Sequence, residues 1–228
     1  RQMNHFFSLW LPAFCAEKYP DTYTVFAGGD DFFLIGPWLQ TQKLAAEMRE
    51  QFRRYVAENA AITFSAGIAV IKPGLPPGKL SAYAEEALEA AKAYPANENE
   101  KRKQLGSKNS VCVYGQVVSW QQWSGIQEAF ERIGRLKEAY GLSTGFVYSM
   151  LQFCEQAEAE KGGDINAGMW RSRFAYRTRR FVNDSKSITD KNNGYAQLTE
   201  AFYQNGIEKL GAKYRIPLFN HFYLLRAK

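Results

Sequence analysis

The sequence predicts an α/β (α+β) region over residues 1–118 followed by an all-helical region over 119–228. Three observations predict it. Two apolar runs flank Gly28-Gly29-Asp30-Asp31, as in a strand, tight turn and second strand. Helix and strand periodicities alternate up to Val118, and beyond Trp120 only helical spacing continues, broken by Gly and Pro. At 228 residues, with 46% hydrophobic, 15% aromatic and 23% charged residues, the chain can bury one large core or two small ones, which excludes the disordered class.

The first element is a helix over 2–16, with Phe6, Phe7, Trp10, Leu11 and Phe14 at helical spacing, broken by Pro20-Asp21. The hairpin 22–35 follows and ends at Gly36-Pro37. Residues 40–58 form an amphipathic helix with Leu44, Met48, Phe52 and Tyr55 on one side. Residues 62–70 are apolar and β-branched, hence a strand. A Pro/Gly loop over 72–78 leads to a helix over 80–93, whose stripe is Leu80, Tyr83, Ala84, Ala87, Leu88 and Ala91. The polar stretch 94–108 is an exposed excursion, and 110–118 is a last strand interrupted at Gly115.

A four-stranded antiparallel sheet carrying two helices needs the order strand, helix, strand, strand, helix, strand. The interior of that order is present and its opening strand is missing. The second region reads as helices around Trp123–Leu136, 146–159, 166–182, 199–210 and 218–225, with Ser143 or Thr144 as a cap.

Twenty-nine basic residues against 23 acidic ones leave a net charge of +6, which fits contact with polyanions. Cys15, Cys112 and Cys154 are odd in number and far apart, so neither a zinc site nor a disulfide scaffold is indicated, and a reducing cytoplasm is expected. The two histidines, His5 and His221, exclude a histidine-rich metal centre within this chain. No apolar run reaches the roughly 18–20 residues of a spanning helix, so no membrane partner is expected. The first residues lack the pattern of a signal peptide, and the helical start reads as a domain entered midway.

Gly28 and Gly29 permit turn dihedrals and close approach of a phosphate. Asp30 and Asp31 are adjacent, so on extended backbone they point to opposite faces. Asp30 is expected to face a metal, with Asp31 touching a second ion or orienting the first. Mg²⁺ takes oxygen ligands and enters with triphosphate and waters. Two ions about 4 Å apart activate a hydroxyl and steady a leaving pyrophosphate. By itself the four-residue run is equally the polar turn of an ordinary hairpin.

The run Phe26-Ala27-Gly28-Gly29-Asp30-Asp31-Phe32 resembles the GGDD signature of the palm-like cyclase domain in the large subunit of type III CRISPR effector complexes, a ferredoxin-like relative of GGDEF diguanylate cyclases and class III nucleotide cyclases. Thr63 to Ile68 resembles the family strand after the second helix. Ala87 to Lys92 with Gly106 to Val111 resembles the family's "AK…G(R/K)N.V" element, split here by an insertion. Lys108 to Gly115 with Trp120 resembles the Csm-type subunit of subtype III-A. Gly145 to Tyr148, Phe174 to Arg180 and Arg215 to Leu218 resemble its C-terminal helical domain.

The resemblance implies a nucleotidyltransferase making cyclic oligoadenylates from ATP with Mg²⁺ or Mn²⁺. The complex, guided by CRISPR RNA, is switched on by target RNA. Asp30 and Asp31 then hold the metal and are the catalytic residues. Gly28, Gly29, Ser65, Lys92 and Lys108 bind nucleotide, the lysines by neutralising triphosphate. Lys92 is equally a solvated helix residue, and Ser65 a strand-packing one.

The family has a further metal-binding Asp at the end of the first palm strand, an HD domain acting as a single-stranded DNase, and another palm-like domain besides the one resembled here. None is in this sequence. The chain is therefore expected to be a C-terminal portion of a larger subunit, inactive alone, whose partners include the N-terminal part and the other III-A subunits. Arg173, Arg177 and Arg180 at i, i+4 and i+7 suit an RNA backbone, an acidic subunit or a solvated face. Trp120 and Trp123 suit a subunit contact or core. A non-catalytic RNA-sensing scaffold and a diguanylate cyclase are the competing readings; Asp31 in place of Glu speaks against the second.

Overall fold

The computed structural model describes residues 2–93 and 108–226. The chain divides into two compact units, Arg1–Gln121 and Gln122–Lys228. The first is mixed α/β with two small sheets, and the second is all-helical.

The first unit opens with a helical segment over 2–18. It is α-helical at Gln2–His5, π-helical at Phe6–Trp10 and α-helical again at Leu11–Lys18. The π turn is marked by the Leu11 N–H donating to the Phe6 carbonyl, five residues back. Phe6, Phe7, Leu11 and Cys15 are buried, so the apolar spacing marks the inward face.

Strands β1 (Tyr23–Gly28) and β2 (Asp31–Ile35) form the antiparallel hairpin, closed by Gly28 opposite Asp31. Gly29 has φ of +66°, and Asp30 does not share a positive φ. That places glycine at the first central position, as in type II′ hairpins. The helix Trp38–Tyr55 buries Leu44, Met48 and Phe52, while Tyr55 is 44% exposed.

The second sheet corrects two expectations. Of residues 62–70 only Ala66–Ile68 is strand (β3), because it has a partner along those residues alone. Residues 110–118 are not one interrupted strand but a hairpin, β4 (Ser110–Val113) and β5 (Gln116–Ser119). Its two-residue turn, Tyr114 at φ +53° and Gly115 at φ +70°, has the left-handed pair that type I′ hairpins require. β3 pairs parallel to β4, and β4 antiparallel to β5.

The single antiparallel sheet expected from the element order is therefore two sheets. β2 lies at an edge of one and β3 at an edge of the other, with no hydrogen-bonded strand joining them among the described residues.

An aromatic column ties the sheets instead. Phe7 stacks on Phe32 at 5.5 Å, Phe32 on Phe64 at 5.8 Å, and Phe64 on Trp120 at 5.8 Å, with ring planes within 18° of parallel. The Trp120 indole N–H donates to the Phe64 carbonyl at 2.7 Å, which satisfies both buried groups. The helix Pro77–Ala93 covers β3 and β4, but its stripe is only half-buried, with Ala91 fully inside and Tyr83 exposed. The excursion beginning at 94 lies, up to 107, outside the described residues.

The helical unit comprises Trp120–Tyr140 (from residue 122 on), Thr144–Lys161, a 3₁₀ turn Ile165–Met169 leading into Trp170–Asp184, Lys191–Leu198 continued by a π stretch Thr199–Glu208, and Arg215–Arg226. Ser143 is the cap, its hydroxyl accepting the Phe146 N–H at 3.2 Å. Asp190 caps a helix the spacing did not signal, accepting from the Asn193 N–H at 3.0 Å. Pro217 sits in the first turn of the last helix, where its missing N–H costs no bond. Phe146, Met150, Cys154, Trp170, Phe174, Phe202, Tyr214 and Leu218 belong to one core. Trp120 and Trp123 are both buried, not exposed contact residues.

His221 is 3% exposed, and its Nε2 has no hydrogen-bond partner among the described residues. Burial drives its imidazole down to about 4, and the Lys137 cation pushes the same way. The unfolded chain then binds this proton near pH 6.5 and the folded chain only near 4. The stability the neutral ring permits is complete above pH 6.5 and is lost as the pH falls toward 4, at a slope of at most about 1.4 kcal/mol per pH unit. Denaturation midpoints measured from pH 7.5 to 4.5 are expected to drop less steeply in His221→Gln. An identical slope in both proteins contradicts this.

Candidate functional site

The Gly-Gly-Asp-Asp run forms the hairpin tip. Gly28 ends β1, Gly29 and Asp30 make the turn, and Asp31 starts β2. Both aspartates are exposed, and neither carboxylate has an ion pair or hydrogen bond among the described residues. No side chain need yield at Gly29, where an added Cβ would meet nothing within 4 Å, so a ligand can approach the backbone there.

Ser65 and Lys108 adjoin the second sheet, and Lys92 lies in the last turn of the helix that covers it. The Ser65 hydroxyl accepts the Asn109 N–H at 3.1 Å, which fixes the residue next to Lys108. The Ser110 hydroxyl donates to the Ala91 carbonyl at 2.5 Å, which fixes the residue next to Lys92. Ser65 is thus a clamp on the backbone entering β4. Lys92 pairs with Glu89 at 3.1 Å on its own helix, as a solvated helical lysine does. Lys108 is exposed with no ion pair among the described residues. Gly106 lies outside the described residues.

The aspartates are on the first sheet, whereas Ser65 and Lys108 adjoin the second, and the Phe32–Phe64 stack joins the two. Phe32 follows Asp31 and Phe64 precedes Ser65. Phe32 lies in β2 and Phe64 just before β3, and no local pattern in the sequence signals their contact.

Among the described residues, no three His, Cys, Asp or Glu side chains come together as a metal-binding group. Two free carboxylates fit a Mg²⁺ that draws its remaining ligands from phosphate oxygens and water. The arginine row has partners within its own unit. Arg173 donates to Gln156, Arg177 to the Gly145 carbonyl at 3.2 Å, and Arg180 faces Asp184 at 3.6 Å.

Residues 1–111 match the family model of the second palm domain of Cas10/Cmr2. Residues 1–111 are thus similar to a Cas10-type palm domain. Over 104 residues it is 36% identical to the CRISPR system single-strand-specific deoxyribonuclease Cas10/Csm1 (subtype III-A) of Methanocaldococcus jannaschii, covering 45% of this chain and 13% of that protein. The Cas10/Csm1 of Streptococcus thermophilus is 23% identical over 211 residues, covering 90% of this chain and 24% of the relative. That of Thermococcus onnurineus is 30% identical over 179 residues, covering 68% of this chain and 22% of the relative. The chain thus spans a quarter or less of these Cas10/Csm1 proteins. A crystal structure of a Csm1–Csm4 cassette in complex with one ATP shares the fold, with a TM-score of 0.57 and 19% identity over 96% of this chain and 32% of that one. Among the described residues, no helix is long and apolar enough to cross a membrane.

Proposed function

We propose that this chain is the nucleotidyl-transfer palm and the C-terminal helical region of a subtype III-A Cas10/Csm1 subunit. In the assembled complex it makes cyclic oligoadenylates from ATP when target RNA pairs with the CRISPR RNA. The observation that carries this reading is the hairpin tip with two uncommitted carboxylates, Asp30 and Asp31, within the stretch that matches the palm. The open edges of β2 and β3 support a further strand, contributed by the rest of the subunit and bringing another carboxylate.

Asp30 and Asp31 hold Mg²⁺ or Mn²⁺, which when bound lowers the cost of charge on the attacking 3′-hydroxyl and the leaving pyrophosphate. Gly29, open where a side chain would stand, lets the nucleotide reach the backbone, whereas at Gly28 that space is bordered by Phe26 and Ser8. Lys108 neutralises triphosphate charge, with Lys92 as a second cation, and Ser65 sets the backbone beside Lys108. The deoxyribonuclease named in the relatives needs another centre. His5 is exposed in the first unit and His221 is buried in the second, so neither belongs to an HD cluster among the described residues.

The test is the full-length subunit in its complex, given target RNA, Mn²⁺ and either ATP or GTP. Cyclic oligoadenylate and pyrophosphate from ATP alone are expected. A cyclic guanine dinucleotide establishes the diguanylate reading instead. No nucleotide product from an RNA-bound complex establishes the scaffold reading.

A further inference from the structure

The first helical segment touches the hairpin tip twice. Asn4 Oδ1 accepts the Gly29 N–H at 2.9 Å and the Ser8 hydroxyl at 2.8 Å, so both of its lone pairs are used. Three residues on, Phe7 stacks on Phe32 at 5.5 Å with planes 18° apart. Asp30 and Asp31 are the two residues between Gly29 and Phe32, so both ends of the carboxylate pair are gripped from one helix.

The N–H of the first central residue in such a turn lies outside the turn's own hydrogen bond and ordinarily points to water. Here it is captured by a side chain 25 residues upstream. Two helical features make the grip geometrically possible. Asn4 and Ser8 are one turn apart, and the π turn Phe6–Trp10 begins between them, a local irregularity that occurs frequently at functional sites. Phe6 and Phe7 are both buried, which anchors the segment beneath the tip.

We propose that Asn4 is a positioning residue of the metal site: by holding the Gly29 N–H it fixes the turn that presents Asp30 and Asp31 together. This rests on the reading of those aspartates as metal ligands. Asn4 touches no reacting atom. Its contribution is to remove freedom from the two-residue turn Gly29-Asp30. A shift of the first helix is thereby transmitted to the spacing of the two carboxylates.

The experiment uses the full-length subunit in its complex, with Mn²⁺ binding followed by electron paramagnetic resonance and Gly29 amide exchange followed by mass spectrometry. Asn4→Ala is expected to raise the Mn²⁺ concentration at half-saturation by roughly 3- to 10-fold, the weight of one hydrogen bond, and to speed exchange at the tip. The melting temperature stays unchanged because Asn4 is exposed. Asn4→Asp keeps an acceptor oxygen and is expected to restore protection of Gly29. Faster exchange with unchanged Mn²⁺ affinity, or no change in either, overturns the proposal. The Asp30→Ala plus Asp31→Ala protein separates the two readings: if it binds Mn²⁺ as well as the parent does, it is the ligand assignment that fails.

Discussion

Full-length complex carrying Asp30→Ala together with Asp31→Ala is expected to lose cyclic oligoadenylate synthesis by on the order of 10²–10³-fold or more, with target RNA binding retained. Both carboxylates are exposed and neither makes a hydrogen bond or ion pair among the described residues. Their removal therefore leaves folding within about 0.5 kcal/mol of the parent. The backbone of the tip is set by Gly29 at φ +66° and by its bond to Asn4, neither of which involves an Asp side chain. The defect should consequently appear in turnover and Mn²⁺ affinity and not in assembly. Chromatography of products from labelled ATP checks it, and product surviving the double substitution at parental levels would sink the assignment.

Gly67→Ala is expected to be the most damaging single methyl in the first unit. A Cβ at Gly67 would lie 2.2 Å from the Leu88 nitrogen, 2.6 Å from the Ala87 carbonyl carbon and 2.7 Å from the Ala84 carbonyl oxygen. All three are backbone atoms of the helix Pro77–Ala93, so no rotamer change relieves the overlap and the helix must move off β3. β3 is three residues long and, among the described residues, pairs on one side only, so its place depends on the helix packed against it. The cost is about 3 kcal/mol or more, a large share of the stability of a domain this size. Gly125→Ala is the control. It lies inside the helix Trp120–Tyr140 with nothing within 4 Å, and alanine there should be neutral or stabilising by up to about 1 kcal/mol. Chemical denaturation of both proteins tests the pair, and equal midpoints would contradict the close-approach argument.

The two glycines differ in how far they were legible. Gly67 reads from sequence as one more residue in an apolar strand, because the helix that touches it begins ten residues later and its approach is set by packing. Lys92, Lys108 and Ser65 repeat the lesson. Their residue types suggest phosphate contact, but only the fold shows Lys92 already paired with Glu89 and Ser65 already holding the Asn109 amide. The arginine spacing on the helix Trp170–Asp184 was legible as one face, whereas its acceptors, Gln156 and the Gly145 carbonyl, both come from the neighbouring helix Thr144–Lys161.

By itself the sequence determined what short windows encode. Gly28-Gly29-Asp30-Asp31 between apolar runs specifies a tight hairpin with paired carboxylates, the switch to helical spacing after Trp120 specifies an all-helical second unit, and Ser143-Thr144 specifies a helix start. These depend on φ, ψ preference, alternation and capping within a few residues. Tertiary structure alone decided that the strands fall into two sheets, that Phe7, Phe32, Phe64 and Trp120 form the column joining them, and that Asn4 reaches Gly29. Strand partners and ring stacks are choices among residues far apart in the chain. Their free energy depends on which surfaces meet, and no local window carries that information.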